Sequence, residues 1–208
     1  MHQTHKIPAH IVKQVKECAA ILTAGGIVAF PTDTVYGMGA DVYNAEAVTK
    51  VFSAKRRPLN LPLPVLIADM SQLDRLTADI PLPAKALMTR FWPGALTLVF
   101  KKSPIFISLV LAGSSKVAVR MPGHAVTLRL IEEAGCPIVG TSANLHNLPA
   151  LLTASDVRDQ FGPEIDFILD GGPCPGGIES TIIDVTADKP VILREGAISE
   201  KEILNLLD

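Results

Sequence analysis

The chain has 208 residues, 48% of them hydrophobic and 19% charged, with a formal net charge of −2. That apolar content excludes disorder, and a chain of this length buries roughly 70% of its unfolded surface, enough to fold without disulfides or metal. No run approaches the ~20 apolar residues of a membrane span, the start Met1–Lys6 lacks the apolar stretch of a secretory signal, and the balanced charge lacks the basic excess of a protein that coats nucleic acid through phosphate contacts. A cytoplasmic location with no membrane contact is the resulting expectation.

Ile11, Val12, Val15, Cys18, Ala19 and Leu22 recur at helical spacing, and Gly25-Gly26 stops that helix. Ile27 to Phe30 reads as a short buried strand running into the turn-rich Pro31–Thr34. Asn44 caps a second helix whose inner face is Ala47, Val48, Val51 and Phe52, with Glu46 and Lys50 paired four apart. The three prolines between Lys55 and Pro64 predict a loop. Val65–Ala68 predicts a strand and Ala84–Phe91 a helix stopped by Pro93-Gly94. Strands follow at Ala95–Phe100 and Val117–Met121, then a helix at Val126–Ala134 ended by Gly135. Ile138–Gly140 predicts a strand leading into Thr141–Asn144. Thr153 caps a helix through Gln160, and Asp166–Leu169 predicts another strand. A Gly/Pro loop spans Gly171–Gly177, strands follow at Thr181–Val185 and Val191–Leu193, and Ser199 with Glu202 forms a capping box for a final helix, Ile203–Leu207. The alternation predicts one α/β domain over residues 1–208, with a core of about 10–198. Several strand-to-strand steps lack a helix, so its sheet is expected to be mixed.

Many familiar chemistries are missing. The sequence holds no P-loop, no dinucleotide fingerprint (Val42 stands where the last glycine would be), no G-x-S-x-G elbow and no H-E-x-x-H pair. The three cysteines, Cys18, Cys136 and Cys174, are odd in number and far apart, so neither a zinc site nor a disulfide framework is expected. Three of the five histidines fall in the first ten residues, which disfavours a histidine acid/base centre.

Polar loops at strand ends remain. Phe30 to Gly37 carries Thr32, Asp33 and Thr34 directly after a strand, and on composition alone a turn in which these side chains bind their own backbone accounts for them better than a site does. Lys55-Arg56-Arg57-Pro58 sets three cations at a helix end, where they suit either the helix dipole or an anion held against a stiff loop. Arg120 ends an apolar strand, so it is either paired with a carboxylate within the fold or left for a ligand carboxylate or phosphate. Thr141–Asn144 offers small hydroxyls and an amide, Glu179-Ser180-Thr181 precedes a strand, and Arg194 closes one. Together these gather Lys55 and Arg57 at a helix end with Arg120 and Arg194 at strand ends, where α/β ligand sites form. A pocket for a polyanion is the expectation.

Six of these segments, in this order, resemble the YrdC/TsaC family of threonylcarbamoyl-AMP synthases. They are Pro31-Thr-Asp-Thr-Val-Tyr-Gly37, Lys55-x-Arg57-Pro58 with Pro62-Leu63, Val117-Ala-Val-Arg120, Thr141-Ser-Ala-Asn144, Glu179-Ser-Thr-Ile-Ile-Asp184 and Leu193-Arg194, over about Gly25 to Gly196. The resemblance implies a strongly twisted mixed α/β sheet flanked by helices around a concave basin. It also implies an L-threonylcarbamoyladenylate synthase, a nucleotidyltransferase that makes threonylcarbamoyl-AMP and pyrophosphate from L-threonine, bicarbonate or CO2, and ATP, for threonylcarbamoyladenosine in tRNA. By carry-over, Lys55, Arg57, Ser142 and Asn144 are catalytic; Lys55, Arg57, Asn144 and Arg194 hold ATP; Thr34, Arg120, Ser142 and Ser180 hold threonine, with Arg120 on its carboxylate.

ATP enters as a substrate, with Mg²⁺ expected on chemical grounds to neutralise phosphate charge. No bound cofactor and no metal-ligating side chain are expected. The implied partners are the downstream tRNA threonylcarbamoyl-transfer machinery and a weak RNA contact. The chain departs from the family pattern at Leu61, where many members carry Asn, and at Pro64 and Glu195. The competing expectation is a non-enzymatic double-stranded-RNA or tRNA-binding protein on the same fold. A hydrogenase-maturation carbamoyl-transfer domain is disfavoured by the absence of zinc-finger cysteines.

Overall fold

A computed structural model describes residues 7–207, so the secretory-signal reading of Met1–Lys6 and histidines 2 and 5 lie outside the described residues. Ten strands and seven α-helices alternate along them: α1 (Ala9–Thr23), β1 (Val28–Phe30), β2 (Gly37–Gly39), α2 (Ala45–Lys55), β3 (Val65–Leu66), α3 (Met70–Leu76), α4 (Leu82–Phe91), β4 (Leu96–Lys101), β5 (Lys116–Arg120), α5 (Ala125–Ala134), β6 (Ile138–Val139), β7 (Thr141–Ser142), α6 (Ala154–Phe161), β8 (Phe167–Ile168), β9 (Thr181–Asp184), β10 (Val191–Arg194) and α7 (Glu200–Leu207).

The strands divide into two mixed sheets rather than one. The smaller has the order β7-β2-β1-β8, with β1 parallel to β8 and antiparallel to β2; the larger runs β10-β9-β4-β5-β3-β6. One short stretch joins them. Val139 pairs with Val65 in the larger sheet, and Thr141 pairs with Met38 in the smaller. Gly140 is the hinge between these pairings, and a Cβ there would lie 2.2 Å from Leu66 Cγ. A two-sheet crossing this tight needs a residue without a side chain.

Helix ends follow the side chains expected of them. Asn44 Oδ1 accepts from Ala47 N at 3.0 Å, Thr153 Oγ1 accepts from Asp156 N at 3.1 Å, and Gly135 closes α5 at φ 70°. Ser199 and Glu202 exchange the two bonds of a capping box ahead of α7. Lys50 departs from its expected pairing with Glu46. Its Nζ donates to the Gly25 carbonyl at 2.9 Å, satisfying a backbone acceptor just past the end of α1.

Two apolar clusters hold the elements together. Ile11, Val15, Cys18 and Leu22 of α1 pack with Val126, Leu130 and Ile131 of α5 over Val28 and Phe30. The larger cluster joins α2, α3, α4, α6 and α7 to one face of the larger sheet and to Ala29 and Met38 of the smaller one. Each fully buried Leu, Ile or Val contributes roughly 1.5–3 kcal/mol. Strand alternation decides what the other face carries. In β4, Leu96, Leu98 and Phe100 enter the larger cluster, so Thr97 and Val99 point oppositely; in β5, Val117 and Val119 enter it, so Ala118 and Arg120 point oppositely.

Candidate active site

That opposite face is the floor of an open cavity of about 300 Å³. Thr97, Val99, Ala118, Arg120, Ser180 and Ile182 form its base. Thr34, Ser142, Arg57 and Arg194 close around it from four separate chain segments. Six of the eight residues expected at a ligand site therefore meet there. Three of the four widely spaced cations, Arg57, Arg120 and Arg194, are among them.

Arg120 is almost wholly buried, and its guanidinium organises one end of the cavity. Nη2 donates to Asp33 Oδ1 at 2.6 Å, Nη1 to Thr34 Oγ1 at 2.9 Å, and Nε to the Gly94 carbonyl at 2.9 Å. Asp33 Oδ1 also accepts from Gly123 N at 2.9 Å. Of the alternatives open at Arg120, the carboxylate pair is therefore realised, yet a guanidinium has five N–H donors. Three are engaged, so one on each terminal nitrogen remains for a ligand. Burial pulls the Arg120 pKa down, the Asp33 carboxylate pushes it back up, and nearby Arg194 lowers it again. An arginine stays protonated through shifts of this kind.

The loop carrying Asp33 is also the turn that its composition suggests. Thr32 Oγ1 accepts from Thr34 N and Val35 N at 3.1 and 3.2 Å, and donates to the Val35 carbonyl at 2.6 Å. Thr32 thus holds the backbone while also lining the cavity, and Asp33 and Thr34 face Arg120.

At the other end, Arg194 pairs with Glu179 and donates from Nη2 to the Ser180 carbonyl at 2.8 Å. Arg57 donates from Nε to the Leu61 carbonyl at 3.3 Å and from Nη2 to the Pro62 carbonyl at 3.0 Å, so it fixes the proline-rich loop that shares the cavity wall. Burial lowers its pKa, and Glu179 opposes the shift. Leu61 supplies its main chain here rather than its side chain. Pro64 lines the cavity and accepts from Gly140 N at 2.9 Å, which ties the loop to the crossing between sheets.

Lys55 and Asn144 do not reach the cavity wall. Lys55 is 2% exposed, and its Nζ donates to the Ser142 carbonyl and, at 2.5 Å, to the Asn144 carbonyl. Asn144 Nδ2 donates to the Leu148 carbonyl at 2.6 Å and the Leu145 carbonyl at 3.0 Å, while its buried Oδ1 has no partner among the described residues. Four carbonyls of a tight loop, those of Ser142, Asn144, Leu145 and Leu148, need donors, so these two side chains turn inward. Lys55 thereby becomes a clamp on the segment that presents Ser142. Burial first, then repulsion from Arg57, brings its pKa down to about 8 against an opposing pull from Glu179.

Three participants escape sequence reading as site residues. Asp33 and Glu179 lie inside recognised motifs, but nothing local reveals that each faces an arginine. Thr97 is missed entirely. Its signal is a lone hydroxyl in the apolar strand Leu96–Phe100, where alternation puts it opposite the core-facing leucines. No group of three or more His, Cys, Asp or Glu able to hold a metal occurs among the described residues.

A family model described as "Telomere recombination", covering Sua5, YciO and YrdC, matches residues 20–196. The chain belongs to the Sua5/YciO/YrdC family. The family span contains every residue of the cavity wall, from Thr32 to Arg194. A Bacillus subtilis protein named threonylcarbamoyl-AMP synthase is 48% identical over 191 residues, which is 91% of this chain and 55% of that protein. The structure of Pyrococcus abyssi Sua5 complexed with L-threonine superposes with a TM-score of 0.91 at 42% identity, covering 94% of this chain and 58% of that one. Escherichia coli YciO shares the fold at a TM-score of 0.83, 24% identity and 92% and 93% coverage of the two chains. This chain thus spans little more than half the length of the Bacillus and Pyrococcus relatives. Among the described residues, no helix is long and apolar enough to cross a membrane.

Proposed function

We propose that this chain is a threonylcarbamoyl-AMP synthase, working as one catalytic unit over about residues 10–198. The observation that carries the reading is the convergence of Arg57, Arg120 and Arg194 with Thr34, Ser142 and Ser180 on one cavity. The name of the Bacillus relative and the threonine bound to the Pyrococcus one support it.

The chemistry needs two anions brought together. The amine of L-threonine adds to CO2, forming an N–C bond and releasing a proton to solvent. One oxygen of the resulting N-carboxylate attacks the α-phosphorus of ATP, and the bond from that phosphorus to the bridging oxygen breaks as pyrophosphate leaves. The barrier is electrostatic and entropic, and prearranged cations address both parts. The two unengaged N–H groups of Arg120 take the α-carboxylate of threonine, with Thr34 and Ser180 beside it. Arg57 and Arg194 face the phosphates, and Ser142 lies between the two ends on the segment clamped by Lys55. Each arginine already has a protein partner or a carbonyl to orient it, so little reorganisation accompanies binding. Mg²⁺ enters with ATP as part of the substrate salt, and the product passes to the tRNA threonylcarbamoyl-transfer machinery in the cytoplasm.

Purified protein incubated with L-threonine, bicarbonate and ATP is expected to yield threonylcarbamoyl-AMP by mass spectrometry, with pyrophosphate release that needs all three. Binding of double-stranded RNA or tRNA with no such product would overturn the reading in favour of a non-enzymatic RNA-binding protein.

A further inference from the structure

The floor of the cavity contains a pair of hydroxyls that no sequence motif joins. Thr97 Oγ1 lies 2.8 Å from Ser180 Oγ. Thr97 is 1% exposed and Ser180 7%, and both belong to the cavity wall. The pairing follows from the sheet order. β4 lies between β5 and β9, so Thr97 sits between the strand that ends in Arg120 and the strand that begins just after Ser180.

A hydroxyl has one hydrogen to donate and two lone pairs. Within this pair one hydroxyl donates to the other, whichever way it runs. The hydrogen of the second then has no protein acceptor, because neither oxygen makes another hydrogen bond among the described residues. A buried donor without an acceptor is costly. Both residues line the cavity that Arg57, Arg120 and Arg194 also line, so an anionic oxygen of a ligand is the natural acceptor. Valine would fill the same space in an apolar strand without burying a hydroxyl, so packing alone gives no reason for threonine here.

We propose that Thr97 is a positioning residue: it fixes the Ser180 hydroxyl by hydrogen bonding, so that the pair aims a single O–H at an anionic oxygen of the carboxylated amino-acid substrate. The proposal rests on the synthase reading above and adds a residue to it. Arg120, on the neighbouring strand, supplies the charge; the Thr97–Ser180 pair supplies a directed hydrogen without further charge. Two guanidinium hydrogens and one hydroxyl hydrogen then meet the amino acid on the sheet side of the cavity.

The test compares Thr97→Val, Thr97→Ser, Ser180→Ala and the double variant Thr97→Val/Ser180→Ala in the pyrophosphate-release assay, with thermal unfolding of each. Thr97→Val keeps the shape and deletes the hydroxyl. It is expected to raise the KM for threonine about tenfold, the scale of one hydrogen bond to a charged group, leave the KM for ATP unchanged, and leave thermal stability level or higher. Thr97→Ser is expected to restore the KM for threonine. In the Ser180→Ala background Thr97→Val should add little, since the group it positions is gone. Three results would overturn the proposal: an unchanged KM for threonine in Thr97→Val, an equal rise in both KM values with lowered stability, or additive effects in the double variant. An inactive parent protein would instead overturn the synthase reading itself, so the two failures are distinguishable.

Discussion

Arginine serves two purposes at each of its positions in the cavity. A guanidinium offers five donors in a rigid plane, so it can hold a loop with some and face a ligand with the rest. Arg57 shows the division in its bonds to the Leu61 and Pro62 carbonyls. Arg57→Ala is therefore expected to lower turnover at least about tenfold, on the scale of losing one preorganised charge-stabilising group. The folded state should survive, because the carbonyls it releases lie on a partly exposed loop where water replaces it. Steady-state pyrophosphate release beside a circular dichroism spectrum checks both halves; near-parental turnover would remove Arg57 from the phosphate site. The same reasoning explains why Lys55 and Asn144 read from sequence as ligand contacts. Their residue types suit ATP as well as they suit main-chain carbonyls, and only the fold reveals that Ser142, Asn144 and Leu148 present carbonyls to them.

Elements with a sequence period of their own were legible, and elements made by their partners were not. α1, α2, α5 and β4 carry apolar repeats long enough to read, and caps such as Asn44 and Gly135 mark their ends. β2 is Gly-Met-Gly and β7 is Thr-Ser; both are too short and too poor in β-branched or aromatic residues to read as strands, and each is held by the neighbour that pairs with it. α3 is only seven residues long, too short to show a period, although Asp69 and Gln72 cap it as a box. The division into two sheets has the same origin, since it turns on Gly140 rather than on any pattern. Gly140→Ala tests that crossing. The added methyl meets Leu66 Cγ at 2.2 Å, and overpacking of this kind costs about 1–3 kcal/mol. Turnover should fall as well, because Thr141 and Ser142 shift with the hinge. Leu66→Ala opens the space the methyl needs, so in the Gly140→Ala background it should cost markedly less stability than it does alone. Equal costs in denaturant titrations of both backgrounds would mean that the crossing tolerates a side chain.

At the scale of the whole molecule, the buried Lys55 links site architecture to global stability. It ends α2, whose inner face belongs to the larger core, and it holds the carbonyls of the β7 segment that joins the smaller sheet. Burial and Arg57 bring its pKa down to about 8 from an ordinary value of 10.5. An unfolded chain keeps this proton until the higher value, while the folded protein releases it above the lower one. Between them the unfolded state binds more protons, so this group's contribution to stability rises with pH. The neutral amine still has two N–H groups for its two carbonyls, so deprotonation relieves a desolvated charge without breaking the clamp. The buried thiols act in the opposite direction: burial raises Cys174 to about 11 and Cys136 to about 12, so they lower stability once the unfolded thiols ionise near 9. The clean window is therefore pH 8 to 9. Across it the stability gap between the parent protein and Lys55→Met, followed by urea unfolding, should widen by about 1 kcal/mol. Comparing the two chains cancels the thiols, which both retain. A constant gap would mean that Lys55 keeps an ordinary pKa despite its burial, and a narrowing gap would mean that its charge stabilises the fold.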